Sequence, residues 1–158
     1  MLNTQSSERA QLSLFHGAAS KPQAIPLPGE PAGSAWAGPV ECFSELALCG
    51  SKENCLLLLA PVLRELSQQA GDRWLTLIDA PAWLTRSWLR NAGLKRDVIL
   101  LLKTRSAATA VELACEALQR GRSHTVISWL QALDAHSRQM LTLMALQGQS
   151  QSLNIRLG

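Results

Sequence analysis

The side chains of this chain that could act on a small molecule are few, and they stand in the setting of a nucleotide-binding α/β domain. Such a domain needs a glycine-rich loop opening onto a helix, so that backbone N–H groups wrap a phosphate, and a strand-end carboxylate that holds Mg²⁺. The place for the loop is Cys49-Gly-Ser-Lys-Glu-Asn54, which has one glycine, Gly50, and lacks the pattern GxxxxGK[ST]; Lys52 is followed by Glu53. The place for the carboxylate is the end of Thr125-Val-Ile-Ser-Trp129, where an indole stands that cannot ligate the ion. Asp79 ends another apolar run, Trp74-Leu-Thr-Leu-Ile-Asp79, but Ala80 and Pro81 follow it and no partner for acid–base work is in view. It reads as a turn or helix-entry residue.

Other chemistries fail on the same ground of spacing. There is no GxSxG elbow, and Ser123 beside His124 is an adjacency within a strand, whose neighbours point to opposite faces. Cys42, Cys49, Cys55 and Cys115 form no CxxC pair, and His16, His124 and His136 do not fall at metal-ligand spacing beside them. The cysteines read as small core residues in a reducing compartment. The expectation is a protein that is not an enzyme and carries no cofactor and no metal.

The elements around these positions alternate. Phe43–Leu48, Trp74–Asp79, Val98–Leu102 and Thr125–Trp129 read as buried strands, and Ser152–Leu157 as a short last one. Between them, Cys55–Gln69 has apolar residues at Leu59, Val62, Leu63 and Leu66, with Gly71 placed to end the helix. Pro61 leaves two readings open: a long helix through it, or a strand over Leu56–Leu59 with the helix starting at Pro61. Leu84–Ala92 reads as a short helix closed by Gly93. Ser106–Arg120 reads as an amphipathic helix with Ala107, Ala110, Val111, Ala114, Cys115 and Leu118 on one face and Ser106 as its N-cap. A last helix runs from the N-cap Asp134 to Gly148. Single helices between strands predict an α/β fold: one domain with a largely parallel sheet and helices on both faces.

The chain has 158 residues, enough for one domain, and 47% hydrophobic residues can supply its core. Residues 1–38 are rich in Ser, Gln, Ala, Gly and Pro and read as a flexible N-terminal tail, with the domain over 39–158. No basic segment leads into an apolar one at the N-terminus, and the longest apolar run, Cys55–Leu63, is far shorter than the roughly 20 residues of a membrane span. The expected setting is cytoplasmic, without membrane contact. A net charge of +3 is too small to argue for nucleic acid, but residues 73–105 carry seven basic against two acidic side chains, which predicts a basic face around the middle strands.

Five tryptophans without a tyrosine are the positive signal. Trp83 and Trp88 fall among Arg86 and Arg90, and Trp with Arg is the pairing enriched where proteins dock. Trp74 reads as a core residue; Trp88 is divided between core and partner surface.

The order of Leu56-Leu-Leu-Leu-Ala-Pro-Val-Leu-Arg-Glu-Leu66, Arg73-Trp74, Leu84-Thr-Arg-Ser-Trp-Leu-Arg-Asn-Ala-Gly-Leu94, Ala117-Leu-Gln-Arg-Gly121, Val126-Ile-Ser-Trp-Leu130 and the ending Gln151–Gly158 resembles the SulA family. These are SOS-induced inhibitors of bacterial cell division, and the likeness, over residues 40–158, is to their pseudomonad form. The resemblance implies a truncated RecA-like core without its nucleotide site, with Pro81 in place of the catalytic glutamate. It implies a protein that binds the tubulin-like division protein FtsZ and blocks its polymerisation and septum formation without turnover. The family's contact positions fall on Arg73, Ile78 and Trp88. A family lysine falls by counting on Val98, with Lys95 and Arg96 just upstream, and Arg86, Lys95 and Arg96 are further candidate contacts. A homodimer and turnover by the Lon protease are also implied. The alternative with a similar pattern is an ImuA-like accessory protein of SOS mutagenesis, whose members run longer beyond the last strand.

Overall fold

The computed structural model describes residues 41–158; the expectation for residues 1–38, and the boundary drawn after them, lie outside the described residues. In chain order the elements are β1 (Phe43–Leu48), α1 (Lys52–Gln69), β2 (Trp74–Ile78), α2 (Arg86–Asn91), a 3₁₀ turn (Arg96–Val98), β3 (Ile99–Leu102), α3 (Ala107–Gln119), β4 (Ser123–Ser128), α4 (Ala135–Gly148) and β5 (Gln151–Leu157). The five strands form one sheet in the order β1-β5-β4-β2-β3, and every pairing is parallel.

Alternation along β2 and β4 divides the apolar side chains between two layers, because successive residues face opposite sides of the sheet. Leu75, Leu77 and Ile127 pack with Leu59 and Leu63 of α1 and Leu89 of α2. Ile78 and Val126 pack on the other face with Ala110, Ala114 and Leu118 of α3 and Leu141 and Ala145 of α4. Full burial of each leucine or isoleucine contributes on the order of 1.5–3 kcal/mol, so both layers are needed to hold the sheet.

The long-helix reading holds through Pro61, and α1 begins three residues before Cys55. The reason is geometric. Proline removes the bond to the carbonyl of Leu57, and Leu57 is 74% exposed while Leu59 and Leu63 lie buried on the opposite side. The freed carbonyl therefore faces water, and burial of the apolar stripe outweighs a cost on the order of 3 kcal/mol. Ser51, Ser106 and Asp134 each cap a helix, accepting from the backbone N–H of Asn54, Thr109 and Ser137. Several boundaries move: β2 ends at Ile78, β4 runs over Ser123–Ser128 and β5 starts at Gln151. The loop after β1 shortens to Cys49–Ser51, α2 starts at Arg86, and Val98 belongs to the 3₁₀ turn.

Two expectations about burial are corrected. Trp74 is 41% exposed, because it opens β2 at the end of the strand that α3 leaves uncovered. Among the cysteines, Cys42 and Cys55 are buried, Cys115 is half-buried and Cys49 is exposed. Burial pushes the Cys115 thiol up.

Candidate docking site

In a parallel sheet, ligands bind outside the carboxyl ends of the strands where the connections diverge to opposite sides. Here β2 leads outward to β3, and the chain then crosses back to β4, so that crevice lies between the ends of β2 and β4. This chain's own groups line it, around an open concavity of about 460 Å³ bordered by Asp79, Thr104, Ser106 and Trp129. Asp79 adopts a left-handed backbone with φ of 56°. Its Oδ1 accepts the Thr104 backbone N–H at 2.7 Å, and its Oδ2 accepts the Thr104 hydroxyl. The Lys103 ammonium donates to the Ala80 carbonyl, so the loops after β2 and β3 are tied to each other. Trp129 follows β4, buried in the core layer under α1 and α2. Asn154 of β5 fixes the next residue by accepting from Leu130 N–H at 2.9 Å and donating to its carbonyl at 3.0 Å.

The expected place for a phosphate loop is short. Only Cys49, Gly50 and Ser51 separate β1 from α1, and the Ser51 hydroxyl takes the Asn54 N–H at 3.3 Å. Among the described residues no three His, Cys, Asp or Glu side chains gather as a metal site. The arrangement ties the loops after β2, β3 and β4 in place.

What the chain does present is the α2–β3 side. Thr85 caps α2 by accepting from the Trp88 N–H at 3.1 Å, and Leu89 anchors the helix in the core. The Arg64 guanidinium of α1 holds the other end, donating from Nε and Nη2 to the Ala92 carbonyl at 3.2 and 2.8 Å. Trp88 is half-buried, packed against the same layer as Leu89, while Arg86, Arg90, Lys95 and Arg96 are exposed. The basic stretch thus lies at an edge of the sheet, because β3 is an outer strand.

The family whose model matches residues 43–152 is described as "Cell division inhibitor SulA". The chain belongs to the SulA family. It is 50% identical to the cell division inhibitor SulA of Pseudomonas aeruginosa, with all of both chains covered. It is 33% identical to SulA of Yersinia pestis (strain Pestoides F), over 72% of this chain and 67% of that protein. The crystal structure of SulA from Pseudomonas aeruginosa superposes with a TM-score of 0.72 at 58% identity, covering 74% of this chain and 98% of that one.

The SulA positions named from the sequence do not form one patch. Ile78 has 0% exposure and packs among Ala110, Ala114 and Val126, so in this conformation it offers no surface to a partner. Arg73 is half-buried at the amino end of β2, where Nη1 donates to the Gln149 carbonyl at 2.7 Å. Its charge, after burial, holds the neighbouring His124 below the usual imidazole range. Trp88 stands apart from both, on α2. Sequence reasoning missed Arg64, which fixes α2, and Leu100, a strand residue 39% exposed. An apolar run does not reveal which of its members faces the uncovered side of an edge strand.

Proposed function

We propose that the protein inhibits cell division in the cytoplasm by binding FtsZ stoichiometrically and blocking its polymerisation, with no chemical turnover. The observation that carries this reading is membership of a family of cell division inhibitors. Exposed cations around a half-buried tryptophan support surface binding as the means of action. Trp88, steadied by the Thr85 cap beneath it and by Arg64 at the far end of α2, is the proposed anchor, with Arg86, Lys95 and Arg96 as exposed cations around it. Arg73 and Ile78 support the fold away from that surface: one ties β2 to the α4–β5 junction, and the other fills the layer under α3.

Isothermal titration of FtsZ with this chain tests the reading. Saturation at one chain per FtsZ subunit is expected, without added nucleotide hydrolysis by this protein. Absence of heat and of a complex on size exclusion would retire it. A homodimer and turnover by the Lon protease are subsidiary expectations of the same family reading.

A further inference from the structure

The outer edge of β3 combines three features that a solvated strand edge does not need together. It has no strand partner among the described residues, and Leu100 within it is exposed. On the α2 side Leu100 borders a groove of about 190 Å³ whose floor includes Leu94 and Ile99 and whose rim holds Arg86, Arg90 and Arg96. On the α3 side it borders a second concavity with the exposed Trp74 and with Leu102 and Leu113. Charges on a strand edge often serve only to prevent edge-to-edge aggregation. The opposite edge shows that device in a neutralised form, because Glu45 of β1 is paired with Arg138 at 3.0 Å. At β3 the three guanidiniums have no carboxylate within salt-bridge distance among the described residues.

We propose that this edge seats an extended acidic segment of the division-protein partner, laid along β3 with an apolar side chain against Leu100 and carboxylates on Arg86, Arg90 and Arg96. The proposal rests on the FtsZ reading above and places the contact on β3 as well as on α2. Charge complementarity selects the occupant. A guanidinium pairs with a carboxylate in a two-pronged geometry, and a free strand edge supplies main-chain donors and acceptors to an extended chain. A second copy is the wrong partner for this edge, since joining two such edges would bring six arginines together.

The test is titration of purified FtsZ against wild type, Leu100→Asp, the triple variant Arg86→Glu/Arg90→Glu/Arg96→Glu, and the control Leu57→Asp. Each is measured at low salt and at roughly physiological ionic strength, with circular dichroism to confirm folding. All five positions are substantially exposed, so the fold is expected to persist. Leu100→Asp and the triple variant should each weaken binding by about tenfold or more, the triple variant should lose the salt dependence of the wild type, and Leu57→Asp should bind normally. Wild-type binding with Leu100→Asp and the triple variant both unimpaired overturns the edge proposal and leaves the FtsZ reading standing. Failure of the wild type to bind overturns the FtsZ reading, and the edge proposal with it. Sedimentation showing self-association that Leu100→Asp abolishes, with FtsZ affinity intact, assigns the edge to a second copy and also overturns the proposal.

Discussion

Half-burial of Trp88 sets how its substitution should be read. Its indole packs against the layer that holds Leu89, so Trp88→Ala should lower the melting temperature by a few degrees, less than the loss of about 3–5 kcal/mol expected for a fully buried aromatic. The larger effect should be on binding: about 2 kcal/mol, a roughly thirtyfold weakening for FtsZ, against little change for the exposed Arg105→Ala. Equal affinity of folded Trp88→Ala and wild type would return this residue to the core. His124 gives a pH prediction. Burial first, and then Arg73, lower its pKa, so the unfolded chain takes up a proton before the folded one does. Stability should therefore be full above about pH 6.5 and fall as pH drops from there through the folded pKa. Glu45, lowered chiefly by its bond from Arg138, adds a second loss below about pH 4.3. In melting curves across pH, His124→Gln should flatten the upper slope and leave the lower one. At this scale the sequence identified residue types better than their surroundings: Ile78 and Trp74 both lie in β2, yet one is enclosed and the other open, because only the fold decides which end of the strand α3 covers.

Helices and strands were legible because their signals are local. The caps Ser106 and Asp134 and the apolar spacing of α3 depend only on neighbours in sequence. What escaped was contact between elements. Gly148 ends α4 where that helix meets α3, and a Cβ there would stand 1.7 Å from the Leu118 carbonyl oxygen and 3.2 Å from the Gly121 nitrogen. Gly121 makes the reciprocal approach with a φ of 65°, so neither position accepts a side chain without moving a helix end. Gly148→Ala should destabilise the fold by about 2–3 kcal/mol in denaturant titration, whereas Gly71→Ala, with nothing within 4 Å, should cost about 1 kcal/mol through its positive φ alone. Equal midpoints for the two variants would contradict this account of the α3–α4 contact. The position of α2 was likewise illegible, since the fork from Arg64 to Ala92 joins residues 28 apart in sequence.

The α/β class and the parallel sheet followed from alternation of elements, but the strand order β1-β5-β4-β2-β3 did not, because periodicity carries no information on which strands pair. That order is what makes β3 an edge and turns a run of basic residues into a face. For the whole chain, removal of residues 1–38 should leave the melting temperature of the remainder within a few degrees, since that segment has little apolar periodicity and many prolines. A large drop would show that the domain needs it. The central claim is that a fold of this type acts here by occupying a division protein, not by chemistry. It is tested most directly by pelleting FtsZ polymers in the presence of GTP while this chain is titrated in. The account predicts that polymer mass falls in proportion to added protein and reaches baseline near one chain per FtsZ subunit. Unchanged polymer mass, or full inhibition at a small fraction of that ratio, would contradict it.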